Sequence, residues 1–224
     1  MAKAEGRLWQ GPKADCDKDG TRIVANYSIF MSSHTNSHGE LWLIRHGETE
    51  WTLSGAHTSR TDLQLTAAGE EKATRLKGLL EGKQFALVLS SPMKRAKETA
   101  RLAGFTPEVD ANLCEWDYGD YEGLTTPEIQ KTAPGWSVWS APTPGGESAG
   151  QVQARAERVI ARAISAGGDV ALFGHGHFSR VLAAVWLEME PQRGRSFALS
   201  TGTVSVLGYE RDTRVIKLWN RAPD

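Results

Sequence analysis

The chain has 224 residues, 40% of them hydrophobic and 24% charged, which suits one domain with a full core, or one domain plus a tail. A formal net charge of -1 provides no global field for nucleic acid or an anionic membrane, so any affinity for anions must come from a local cluster. Lys and Arg are scattered with no nucleic-acid recognition motif, and no apolar run approaches the roughly 18 residues of a membrane span. Cys16 and Cys114 cannot build a disulfide framework and fit a reducing cytoplasm. Neither has a metal-type partner spacing, and the six His form no HExxH pattern, so neither a metal nor another cofactor is expected.

Residues 1–38 read as polar and irregular. Their one apolar piece, RIVANYSIFM (22–31), is broken by Asn26, Tyr27 and Ser28 and makes a poor signal-peptide core. Two readings stand: a flexible extension, or an over-called gene start with Met31 as the true initiator. From residue 39 to 224 strands and helices alternate, the signature of an α/β domain. ELWLIR (40–45) is a short buried strand. Residues 62–82 form a helix with Thr66 as N-cap, Leu76, Leu79 and Leu80 on one face, and Gly82 as the stop. FALVLSS (85–91) is a second buried strand. The helix at 92–104 has Pro92 in its first turn and Gly104 past its end.

Residues 107–150 are rich in Trp, Pro and Gly and read as a long insertion with one short helix at 127–131. Regularity returns at 147–168, a helix with Val152, Ala156, Val159, Ile160 and Ala163 facing inward. DVALFGHG (169–176) is a third buried strand, followed by a helix through about Leu187. Segments 202–210 and 213–220, joined by a two-residue turn, form a hairpin whose edge could extend the sheet or form a homodimer contact.

The buried strands end in polar groups: Arg45-His46-Gly47, Ser90-Ser91 and Gly174-His175-Gly176. In open α/β sheets ligands bind at the carboxyl ends of the strands, and glycine lets the backbone approach them closely. LIRHGETEW, SSPMKRAKETA, EWDYGDYEG and FGHGHFSR, in that order over about residues 40–210, resemble the histidine phosphatase superfamily, which includes phosphoglycerate mutases and many phosphatases. The resemblance implies a three-layer α/β/α sandwich around a mostly parallel central sheet, and small phosphate esters as substrates.

The resemblance also implies roles. His46 is the nucleophile that forms a phosphohistidine, because neutral imidazole is nucleophilic near neutral pH. Arg45, Arg95 and His175 surround the transferring phosphoryl group. Glu115 is the proton donor to the leaving group, with Asp117, Asp120 and Glu122 as framework charges. Thr52 stands where mutases carry a phosphate-contacting Asn, so its hydroxyl is a substitute donor. Thr58 and Ser59 match a Thr-Gly pair that contacts substrate through its backbone, and Ser59 in place of Gly puts that geometry in doubt. Gly176 is placed with the substrate contacts, and His177 either joins them or faces solvent. Glu48 organises the loop after His46, whereas PGGES (144–148) is either a pocket loop or a turn and helix cap. Trp116, Tyr118, Trp136 and Trp139 form an aromatic wall or ordinary packing.

A mutase needs a second anion site, which in this resemblance comes from basic residues in the insertion. Residues 116–150 hold only Lys131, against Asp117, Asp120, Glu122, Glu128 and Glu147. Hydrolysis is therefore expected over transfer, by a broad acid phosphatase-like enzyme first and a sedoheptulose 1,7-bisphosphatase-type enzyme second. A module that only binds phosphorylated ligands is disfavoured, because such members usually lose the nucleophile or an arginine.

Overall fold

The structure, a computed structural model, describes residues 38–224; the expected N-terminal extension lies outside the described residues, apart from His38 at its end. Strands β1 (Leu41–Arg45), β2 (Leu87–Ser90), β3 (Glu108–Val109) and β4 (Val170–Gly174) run parallel in the order β3-β2-β4-β1. A hairpin of β5 (Val204–Glu210) and β6 (Thr213–Arg221) joins β1 antiparallel and completes the six-stranded sheet. The two-residue turn expected between them is present, with Arg211 at φ 56°.

Among the described residues, six α-helices follow in chain order: α1 (Glu50–Ser54), α2 (Ala67–Leu80), α3 (Lys94–Leu102), α4 (Thr126–Thr132), α5 (Ala149–Ser165) and α6 (Gly176–Trp186). Side-chain alternation along β1 divides the core into two layers. Leu41 and Leu43 pack in a cluster with Val152 and Val159 of α5 and Val181 and Leu182 of α6. Trp42 and Ile44 belong to a second cluster with Leu76 and Leu80 of α2 and Ala100 of α3. Helices thus cover both faces, which makes the three-layer α/β/α sandwich and explains why β1 and β4 are apolar almost throughout.

The helix periodicities hold. All five inward positions expected on α5 are buried, and Thr66 caps α2 by accepting from Gly69 N. Helix α3 begins later than its proline suggests. Met93 is the N-cap and Pro92 precedes it, while Gly104 takes the left-handed φ of 94° expected past the end. The insertion holds β3, α4 and short 3-10 turns at Ala111–Leu113 and Gly119–Tyr121. Helix α1 was not expected. It buries no residue and is held by a capping box between Thr49 and Thr52, so it has no apolar period to read.

Strand register brings the polar strand ends to one level. Arg45 lies opposite Gly174, and Ser90 opposite Phe173, so the carboxyl ends of β1, β2 and β4 open together. The loop leaving β1 runs in backbone contact with the start of α2. A Cβ on Gly47 would lie 2.5 Å from Gly69 O, and one on Gly69 would lie 2.3 Å from Glu48 O. Neither glycine has positive φ, so the constraint is steric. Gly69→Ala is expected to lose about 1–3 kcal/mol of stability, as overpacking does. Urea unfolding checks this; an unchanged midpoint would show that the two segments separate freely.

Candidate active site

A cavity of about 160 Å³ opens at these strand ends. Arg45, His46, Glu115, Tyr118, Gly176 and His177 line it together with Thr52 and Thr58. The backbone fixes its floor: His46 N donates to Gly174 O at 3.0 Å and Ser91 N to Phe173 O at 3.0 Å.

His46 Nδ1 lies 2.7 Å from Gly47 O. A carbonyl only accepts, so Nδ1 carries the proton and Nε2 the lone pair. Burial first, then the charges of Arg45 and Arg95, hold the ring's pKa well below the ordinary 6.5. It is therefore neutral at pH 7. Gly47 is itself anchored, since its N–H donates to Thr99 Oγ1 at 3.0 Å while that hydroxyl donates to Arg95 O at 2.7 Å. His175 is fully buried, with its ring centroid 5.1 Å from that of His46 and its Nε2 2.7 Å from Ser91 Oγ.

Two arginines complete this side. Arg45 Nη1 donates to Leu199 O, while Arg95 Nη1 donates to Thr61 O at 2.9 Å and its Nη2 to Ser59 O at 3.2 Å. Arg95 and His175 do not line the cavity wall; both are fully buried behind it. Burial lowers the pKa of both guanidinium groups. Arg45 Nε, Arg95 Nε and His175 Nδ1 are buried without a hydrogen-bond partner among the described residues. Each such group costs roughly 1–3 kcal/mol. Their gathering around one imidazole suits an anion with several acceptor oxygens.

Glu115 faces this cluster from the other side. Its Oε1 accepts from Phe178 N at 2.7 Å and Trp116 N at 2.9 Å, and its Oε2 accepts from His177 N at 3.0 Å. The carboxylate thus sits on the amino end of α6, where the backbone N–H groups favour negative charge. Tyr118 is buried, which raises its phenol well above 10 and keeps the hydroxyl protonated 2.6 Å from His177 Nδ1. Burial keeps His177 neutral, so one of its ring nitrogens carries a proton and the other accepts. A Cβ on Gly176 would meet the Arg45 guanidinium at 3.2 Å, so glycine here leaves room for that cation.

Several expected contacts fall elsewhere. Thr52 lines the cavity, but its hydroxyl donates to Thr49 O at 2.8 Å and accepts from Thr49 N at 2.9 Å. It caps α1 instead of offering a free donor. Ser59 is buried outside the lining, bound through N and Oγ to Glu122, and its φ is not positive, so no glycine is required there. Trp116 is buried with its indole donating to Glu147 O at 2.9 Å and does not line the cavity. Trp136 and Trp139 stand behind His57 and His177, so of the expected wall only Tyr118 reaches the opening.

Trp51, His57 and Arg180 line the cavity without having been singled out in the sequence. Arg180 lies one helical turn after His177, a spacing that places the two on one face of α6. Its Nε donates to Gly194 O at 3.0 Å and its Nη2 to Arg195 O at 2.9 Å, while Nη1 has no acceptor among the described residues. Among the described residues, no three His, Cys, Asp or Glu side chains are grouped to hold a metal ion, and no helix is long and apolar enough to cross a membrane.

Two imidazoles and a guanidinium group at the strand ends, joined by the guanidinium group of Arg95 from α3, define a phosphoryl-handling class, and the sequence comparisons agree. Residues 41–222 match the histidine phosphatase superfamily (branch 1). The chain belongs to that superfamily and is an enzyme of the phosphoric monoester hydrolase class. It is 42% identical over 180 residues to an acid phosphatase of Mycobacterium tuberculosis, covering 78% of this chain and 88% of that one. It is 33% identical over 186 residues to the sedoheptulose 1,7-bisphosphatase of Saccharomyces cerevisiae, covering 67% and 68%. The solved structure of the Mycobacterium tuberculosis open reading frame Rv3214 superposes with a TM-score of 0.80 at 38% identity, covering 83% of this chain and 99% of that one.

His46, His175 and His177 are all held neutral by burial, which has a thermodynamic consequence. Below about pH 6.5 the unfolded chain binds protons on these rings that the folded chain refuses. Stability is therefore full above that pH and falls as pH falls, by about 1.4 kcal/mol per ring and pH unit until the folded rings titrate. Urea unfolding at pH 7.5 and 5.5 measures the loss; equal stability at both would mean that the folded rings accept protons freely.

Proposed function

We propose that this enzyme hydrolyses small phosphate monoesters, with broad specificity, through a phosphohistidine on His46. The observation that carries the reading is the His46 Nδ1 bond to Gly47 O, which leaves the Nε2 lone pair for phosphorus. In the first step Nε2 attacks phosphorus, the bond from phosphorus to the ester oxygen breaks, and the departing oxygen takes a proton from the Glu115 carboxyl group. In the second, the Glu115 carboxylate takes a proton from water as its oxygen attacks phosphorus. The phosphorus–nitrogen bond breaks, and inorganic phosphate and neutral His46 return. Arg45, Arg95 and His175 donate to the phosphoryl oxygens, whose charge is spread in the transition state.

Breadth is supported by the small cavity, which takes a phosphoryl group and a few further atoms before the leaving group meets Trp51, His57 and His177. Thr58, Tyr118, Gly176 and His177 are the substrate contacts of this reading. Hydrolysis over transfer is supported by Lys131, the insertion's single basic residue, which stays off the cavity lining. The two cysteines support a cytoplasmic setting, and β6, last in the sheet, supports a strand-paired homodimer.

Arg180 favours a sugar bisphosphatase as the second reading. It brings a further cation to the cavity, while three of the insertion's five acids are engaged elsewhere: Asp117 with Arg60, Glu147 with Arg155, and Glu122 with Ser59 and Thr61. They do not oppose a second phosphate as their number suggests.

Incubation with a radiolabelled phosphate ester is expected to leave acid-labile, base-stable label on the protein, and none on His46→Ala. Unlabelled, inactive wild-type protein would overturn the phosphohistidine reading. In kcat/KM, Arg180→Ala is expected to lose about tenfold or more on sedoheptulose 1,7-bisphosphate and little on p-nitrophenyl phosphate if the second reading holds, since a charged hydrogen bond contributes about 1.5–3 kcal/mol. Equal effects on both esters would leave the broad monoesterase.

A further inference from the structure

The segment carrying Glu115 has no regular structure of its own, lying between the 3-10 turns at Ala111–Leu113 and Gly119–Tyr121. What fixes it is a pair of side chains outside the cavity. Arg155, on α5, uses all the N–H donors of a guanidinium group. Its Nε and Nη2 bind Glu147 Oε1 and Oε2 at 2.8 and 2.7 Å. Its Nη1 binds Asn112 O at 2.7 Å and Cys114 O at 2.9 Å, and Nη2 also reaches Glu115 O at 3.3 Å.

Glu147 continues the grip. Its Oε2 accepts from Asp117 N at 3.1 Å, its N–H donates to Asp117 O at 2.9 Å, and its carbonyl accepts from the Trp116 indole. The pair therefore holds backbone groups of residues 112, 114, 115 and 117, with the next side chain, Trp116, included. The guanidinium also lies 4.9 Å over the Phe178 ring, whose own N–H binds Glu115 Oε1. Both ends of the Glu115 side chain, its backbone and its carboxylate, are thus referenced to one planar group. Side-chain exposures of 12% and 21% keep the ion pair largely out of water.

We infer that Arg155 and Glu147 are positioning residues for proton transfer by Glu115, an inference that rests on Glu115 being the acid. Lysine would keep the charge but could not bind Glu147 and three carbonyls in one plane. A group held slightly out of line loses rate where its proton is needed and nowhere else.

The test compares kcat/KM for an alkyl ester, glycerol phosphate, with that for p-nitrophenyl phosphate, whose phenolate leaves without a proton. This ratio reports the steps up to departure of the leaving group. Arg155→Met is expected to lose about tenfold or more on the alkyl ester and about threefold or less on the aryl ester, with Arg155→Lys between it and wild type. Glu147→Gln should show the same selectivity and carries the comparison if Arg155→Met does not fold. Equal losses on the two esters, or no loss, overturn the inference. Glu115→Gln is the control: if it too fails to discriminate between the esters, the acid assignment itself has failed.

Discussion

Two guanidinium groups, the half-buried Arg45 and the fully buried Arg95, gather at the end of a covered sheet, and among the described residues backbone carbonyls are their direct hydrogen-bond partners. A buried charge is costly unless it is paired, and here the nearest strong counter-charges are Glu115 and, for Arg95, also Asp62 and Glu122. The rest of the site follows from that arrangement. An imidazole placed beside two cations and shielded from water stays neutral, so His46 is suited to attack and not to anion binding. His175 is held in the same state, and its contribution to an anion is a hydrogen-bond donor without a formal charge. The cationic demand is left for the ligand to satisfy, which favours a doubly charged phosphoryl group over a neutral ester.

Much of this was legible in the sequence because strands and helices obey simple periods. The apolar runs at β1 and β4, the five inward positions of α5 and the Thr66 cap are local signals, and local chemistry fixes them. Depth is not local. Nothing in KRAKETA distinguishes an exposed Arg95 from one set behind the cavity wall with its Nε still unpaired, since that depends on the 58–61 loop folding over it. Trp116 shows the same limit in the opposite sense. Its neighbour Glu115 reaches the cavity, so the next side chain points away and packs on the insertion.

Arg180 and Thr99 mark a different kind of gap. Each lies on a helix whose other residues follow an apolar stripe, and each was hidden by belonging to an ordinary-looking turn. Arg180 could have been found from its spacing to His177. Thr99 could not, because its role depends on Gly47 passing within 3.0 Å, a long-range contact between the loop after β1 and α3. The acids of the insertion carry less information than their number suggests, for a related reason. Counting charges assumes that they face the cavity, whereas Asp117, Glu122 and Glu147 are each turned to a partner in the framework.

The molecule thereby separates two tasks. The groups proposed to bind the phosphoryl group rest on β1, β4 and the start of α3; the sheet holds β1 and β4 in register, and Gly47 N–H ties the β1 loop to Thr99 of α3. Glu115, the proposed proton donor, rests on an irregular segment tied down by Arg155 and Glu147. That is why RHG-type motifs identify the chemistry while remaining silent on the substrate: the residues that would meet a leaving group are spread over α1, the 57–58 loop, the insertion and α6, and only their folded neighbours bring them together.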